Sequence, residues 1–83
     1  MVRVKLSDDA LDDLGKIDQI IARRIVAKML WLEENFANMV PERLHYDLRD
    51  LYKLRVGDYR VVYLVRGDLI VVEAIEHRRE IYK

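Results

Sequence analysis

The chain has no cysteine, a single proline, only three glycines and no net charge across its 83 residues. Without cysteine there is no disulfide frame, no thiolate metal site and no cysteine nucleophile, a composition that fits a reducing cytoplasm. The two histidines, His45 and His77, are too few and too isolated in sequence for a zinc site. Uninterrupted apolar runs fall far short of the roughly 18 residues of a membrane span. Met1 to Leu6 alternates Val with Arg and Lys, so the start lacks the apolar block of a signal peptide. Together these absences predict a soluble, cytoplasmic protein with no membrane partner. A chain this short has material for one core, so residues 1–83 are read as one domain.

The fifteen basic and fifteen acidic side chains cancel, which argues against a general nucleic-acid coat. Their distribution is less even. Residues 1–42 carry six Lys/Arg against eight Asp/Glu, whereas residues 43–83 carry nine against seven. The cationic surplus is small, so what matters is whether the fold concentrates it.

Val2, Val4 and Leu6 alternate with Arg3 and Lys5, the period of a strand. Ser7 is suited to cap a following helix, and Asp8 and Asp9 suit the positive end of its dipole. Those effects explain the cluster Asp8, Asp9, Asp12 and Asp13 better than a magnesium site does. The first helix is predicted to end near Leu14 and Gly15. A second runs from about Asp18 to Phe36, its core stripe formed by Ile17, Ile21, Ile25, Leu32 and Phe36 and widened by Ile20 and Met29. A further apolar set on that helix (Ala22, Val26, Leu30 and Trp31) either widens the core stripe or meets a protein partner, as could Val62, Leu64 and Val71 on the sheet. Pro41 interrupts any helix, and residues 37–50 read as a connection with some extended structure.

The last third predicts three strands, Leu51 to Val56, Tyr59 to Arg66 and Leu69 to about His77, joined by the dipeptides Gly57-Asp58 and Gly67-Asp68. Glycine at the first central position suits a two-residue type II′ hairpin. Val56 then pairs with Tyr59, and Arg66 with Leu69. One face collects Tyr52, Leu54, Val56, Tyr59, Val61, Tyr63, Val65, Ile70, Val72 and Ala74, and should receive the helices. The other collects Lys53, Arg55, Arg60, Val62, Leu64, Arg66, Leu69, Val71, Glu73, Ile75 and His77. The predicted architecture is α+β: an N-terminal strand, a helical hairpin and a three-stranded antiparallel meander, with both helices packed on one sheet face.

In this register Arg55 lies across from Arg60, with Lys53 two residues along. Directly opposed like charges destabilise a strand pair by up to about 1 kcal/mol. A bound anion would remove that penalty, and clustered Arg and Lys stabilise phosphate and the added charge of a phosphorane. The alternative is a solvated face whose cations pair with Glu73 or nearby carboxylates. Beyond the last strand lies His77-Arg78-Arg79-Glu80-Ile81-Tyr82, which supplies groups able to hold phosphate or move protons.

The segment Leu51-Tyr-Lys-Leu-Arg-Val-Gly-Asp-Tyr-Arg-Val-Val-Tyr63, of the form YxLRxGxYRxxY, together with the terminal HRRxxY of residues 77–82, resembles the RelE branch of the RelE/ParE toxins. The resemblance covers essentially the whole chain. It implies the toxin of a type II toxin–antitoxin system, working without cofactor or metal and cutting messenger RNA in the ribosomal A site. The RNA's own 2′-hydroxyl would attack, leaving a 2′,3′-cyclic phosphate. By the same resemblance Lys53 and Arg55 would hold the scissile phosphate and Arg60 would stabilise the phosphorane. Arg78 would act as general acid or leaving-group stabiliser, Tyr82 as general base or 2′-hydroxyl orienter, and His77 as a second candidate for proton transfer or substrate binding. A tyrosine is ordinarily protonated up to about pH 10, and neighbouring cations would favour its phenolate. Implied partners are a cognate antitoxin and ribosome-bound messenger RNA, with further toxin–antitoxin assembly. Two alternatives share the fold: a ParE-like, non-catalytic inhibitor of DNA gyrase, and a non-toxic binding module.

Overall fold

A computed structural model describes residues 2–44 and 50–81, apart from the side chains of residues 80 and 81. Strand β1 (Arg3–Leu6) leads into helices α1 (Asp8–Gly15) and α2 (Gln19–Asn35), and α2 ends in a 3-10 turn at Phe36–Asn38. A two-residue strand, β2 (Glu42–Arg43), precedes the meander of β3 (Tyr52–Val56), β4 (Tyr59–Arg66) and β5 (Leu69–His77). A four-residue helix, α3 (Arg78–Ile81), follows at once. The sheet order is β1-β5-β4-β3-β2. It is mixed: β1 runs parallel to β5, while the other pairs are antiparallel. The parallel pairing is possible because the two helices between them carry the chain back across one face. None of the helices among the described residues is long and apolar enough to cross a membrane.

Both helices take the expected side. Ala10 of α1 and Ile25, Met29 and Leu32 of α2 form one buried cluster with Leu54, Val61, Tyr63, Ile70 and Val72 of the sheet. Tyr52, Val56, Tyr59 and Val65 pack at its margin, as do Ile17, Ile21 and Phe36. Ile20 does not join them. It is 71% exposed at the start of α2, so the core stripe is narrower than the spacing suggested. Val26, Leu30 and Trp31 are exposed as well, on the side of α2 away from the sheet. Val62 is the opposite case: expected to be partly open, it is buried on the cationic face.

Gly57 and Gly67 have φ of +58° and +59°, as the first central residue of a tight hairpin requires, and the paired residues are those expected. The expected register holds through β3 and β4 and through β5 up to Val72. There it breaks. Tyr63 pairs with Val72 but Val62 pairs with Ala74, so Glu73 is an extra residue in β5. The slip reverses every side chain beyond it. Ile75 is buried in the core and His77 pairs with Tyr59 on the helix side, whereas Ala74 and Glu76 take the cationic face. The placements of Ala74, Ile75 and His77 correct the alternation expected from sequence, and Glu76, assigned to neither face there, joins the cationic one.

Helix α1 holds the bulge. The Ser7 hydroxyl caps α1 by accepting from the Ala10 N–H at 3.1 Å, and it donates to the Glu73 carbonyl, also at 3.1 Å. The Asp13 carboxylate accepts from the Ile75 N–H at 3.0 Å. Asp13 therefore satisfies a backbone group that the irregular ladder leaves over, a use distinct from the dipole effect. At the β1 edge, the Glu33 carboxylate from α2 accepts from the Val4 N–H at 2.7 Å, which blunts a strand edge otherwise open to pairing.

Tyr63 is wholly buried, and its hydroxyl has no hydrogen-bond partner among the described residues. Burial, reinforced by Tyr52, pushes its pKa up from 10.0 to about 12. The folded state therefore keeps a proton that the unfolded state releases between those values, and stability falls as pH rises through that window. Tyr63→Phe removes an unsatisfied hydroxyl, so it is expected to be neutral or to stabilise by about 1 kcal/mol at neutral pH. It should also flatten the alkaline loss of stability, checked by urea unfolding of both proteins from pH 8 to 11.

Candidate active site

The tight β3–β4 turn sets Arg55 directly opposite Arg60. The bulge then sets Arg60 opposite Glu76, so one row across three strands reads Arg55, Arg60, Glu76. The Arg60 Nε donates to the Glu76 carboxylate at 2.8 Å. One of five guanidinium donors is thereby fixed, orienting the group while leaving the others available. On the β2 side, Lys53 Nζ lies 3.5 Å from a Glu42 carboxylate oxygen. Both cations are partly covered, their side chains 28% and 24% exposed for Lys53 and Arg60. Arg55 is exposed, its Nε donating to the Gly57 carbonyl at 3.3 Å. Among the described residues it has no carboxylate partner.

Arg78 is brought in by the backbone. Its N–H donates to the Asp58 carbonyl at 2.8 Å, tying the start of α3 to the tip of the β3–β4 hairpin. The result is a cleft of about 300 Å³ lined by Glu42, Lys53, Arg55, Asp58, Tyr59, Arg60 and Arg78. Among the described residues, four cations face two carboxylates in that lining. Such a cleft attracts an anion, and its planar guanidinium groups match the geometry of phosphate oxygens.

Four of the five residues expected to do chemistry thus converge. The fifth, Tyr82, lies outside the described residues, as does His45. His77 does not join the cleft, because the bulge has turned it to the helix side, where its ring meets that of Tyr59 edge-on at 4.8 Å. The alternative of pairing with Glu73 or nearby carboxylates is met for two of the cations, Arg60 by Glu76 and Lys53 by Glu42, whereas Glu73 itself pairs with none of them among the described residues. Glu42 could not be placed because β2 is too short to show a period. Glu76 was hidden by the register slip, although the passage of the apolar pattern from Ile70 and Val72 to Ile75 marks it in the sequence.

The α+β fold, two helices on a five-stranded mixed sheet, matches that of solved RelE-type toxins. The fold aligns with the toxin–antitoxin complex RelBE2 of Mycobacterium tuberculosis at a TM-score of 0.80 and 24% identity, covering 93% of this chain and 98% of that one. It aligns with the isolated Escherichia coli RelE toxin at a TM-score of 0.76 and 20% identity, covering 99% and 92%. With the RelE–RelB complex of Pyrococcus horikoshii the TM-score is 0.73 and the identity 27%, covering 93% and 94%. Residues 4–82 match the family described as ParE toxin of type II toxin–antitoxin system, parDE. The chain belongs to that family, within the RelE/ParE superfamily, and its fold is of the RelE type. No protein of curated function matches its sequence significantly.

Proposed function

We propose that this type II toxin is an endoribonuclease that cleaves messenger RNA, in the ribosomal A site, at the cation-lined cleft. The observation that carries the reading is the convergence of Lys53, Arg55, Arg60 and Arg78 on one cleft, with Arg55 and Arg60 directly opposed. Glu76 offsets part of this repulsion through Arg60, and an anion bound beside Arg55 relieves the rest. In the proposed reaction the 2′-oxygen bonds to phosphorus as its proton passes to a base. The bond to the 5′-oxygen breaks, and that oxygen takes up a proton. The products are a 2′,3′-cyclic phosphate and a 5′-hydroxyl.

Lys53 and Arg55 hold the phosphate oxygens in the ground state. Arg60, oriented by Glu76, meets the charge that grows on the phosphorane. A guanidinium is almost never deprotonated, so Arg78 suits hydrogen bonding to the leaving oxygen better than complete proton transfer. The role of base falls to Tyr82 by resemblance to the RelE branch.

A cognate antitoxin is the proposed protein partner. The exposed apolar side chains Leu11, Ile20, Val26, Leu30 and Trp31 on α1 and α2 support such a contact, as do the toxin–antitoxin complexes among the similar structures. Further assembly of the pair belongs to the same proposal. The ParE family match favours a second reading, non-catalytic inhibition of DNA gyrase.

Incubating purified protein with ribosomes programmed with messenger RNA, in the cold-quenched presence and absence of chelator for added trace metals, separates these readings. Fragments ending in 2′,3′-cyclic phosphate are expected, unaffected by the chelator at a magnesium level that keeps ribosomes intact, and lost in Tyr82→Phe. Uncut RNA, with supercoiling by purified gyrase inhibited instead, would reject the ribonuclease reading.

A further inference from the structure

The first two residues of α3 are held by two hydrogen bonds, and only one of them is backbone to backbone. The Arg78 N–H donates to the Asp58 carbonyl at 2.8 Å. The Arg79 N–H donates to the His77 imidazole Nδ1 at 3.0 Å. His77 is the residue just before α3, and its side chain accepts from an N–H two residues on, which is the pattern of a helix-capping side chain. Its ring is steadied by the edge-on contact with Tyr59, its partner across the β4–β5 ladder.

An imidazole nitrogen can accept from an N–H only while it keeps its lone pair. The contact therefore requires the neutral ring with its proton on Nε2. We propose that His77 is a positioning residue, whose neutral Nδ1 caps the terminal turn and so holds Arg78 in the cation-lined cleft. For its activity readout this rests on the proposed ribonuclease reading. It assigns His77 a task other than proton transfer to RNA, in keeping with its absence from the lining of that cleft.

Protonation would place a hydrogen on Nδ1 facing the Arg79 N–H, turning an attraction into a repulsion between two donors. The surroundings add to this. Arg24 and Lys28 of α2 and Arg55 of β3 line the groove that holds His77, and Arg78 and Arg79 flank a second face of it. Among the described residues, Asp58 in the β3–β4 turn is the one carboxylate in both linings. Protonation of the ring would therefore release the cap and loosen the turn that carries Arg78.

Asparagine caps helices well and does not titrate, whereas alanine cannot cap. His77→Ala should lower RNA cleavage by about threefold to tenfold, the range expected from loss of a cap. His77→Asn should stay within about twofold of the parent at pH 7.5 and lose the parent's fall in activity on acidification. Nitrogen-15 NMR supplies an arm that needs no activity. The parent at pH 7.5 should show an unprotonated Nδ1, and hydrogen exchange at the Arg79 amide should quicken as the ring titrates and in His77→Ala. An Asn variant as impaired as the Ala variant, despite a protected Arg79 amide, would overturn the proposal in favour of direct proton transfer. So would a protonated Nδ1 at pH 7.5, or Arg79 exchange indifferent to the substitution. If the parent cuts no RNA, the NMR arm still decides whether His77 caps, and only the ribonuclease reading fails.

Discussion

The Arg60→Ala variant is expected to cut RNA about a hundredfold to a thousandfold more slowly than the parent, the usual cost of losing one donor aimed at transition-state charge. Its folding stability should change by less than about 1 kcal/mol. Two opposing effects keep that change small. The substitution breaks the half-exposed pair with Glu76, and it also removes the repulsion from Arg55 across the β3–β4 ladder. Cells producing the variant should grow as uninduced cells do while accumulating folded protein. Growth curves and melting of the purified variant check both halves. A melting temperature far below the parent's would instead mean that Arg60 holds the fold, leaving its chemistry untested by this substitution.

Leu32→Ala is expected to abolish toxicity by the opposite route. Leu32 is fully buried where α2 meets the sheet, and truncating such a leucine costs about 2–5 kcal/mol. A domain of this length has a total stability on the order of 4–12 kcal/mol, so a large share is lost. The melting temperature should fall by at least about 10 °C. What remains folded should retain its activity per molecule, because Leu32 lies on the far side of the sheet from the cleft. Thermal unfolding, with cleavage normalised to the folded fraction, tests this. The pair of variants separates chemistry from folding: one keeps the fold and loses the reaction, the other keeps the reaction and loses the fold.

Much of this was legible in the sequence because the hairpin turns are short. A two-residue Gly-Asp connection fixes which residues face each other, and that alone set Arg55 against Arg60 and put Lys53 beside them. The helix side of the sheet followed from simple alternation as far as Val72. Beyond that point alternation misleads, because one extra residue at Glu73 exchanges the two faces. It carried Glu76 into the site and His77 out of it. The bulge depends on contacts distant in sequence, from Ser7 and Asp13 in α1 to the backbone of Glu73 and Ile75. Local periodicity does not encode such contacts. Two-residue β2 and four-residue α3 are likewise too short for a period to reveal. Ile20 is a different case: its hydrophobicity suggested core, but on α2 it points away from the sheet, among the exposed apolar side chains offered to a partner.

Mapping transcript 5′ ends after brief induction of the parent and of Arg60→Ala tests most directly whether the cation-lined cleft breaks RNA. New ends at defined positions within codons of translated messages, present for the parent and missing for the variant, are the predicted result. Intact transcripts in arrested cells, accompanied by loss of DNA supercoiling, would contradict it.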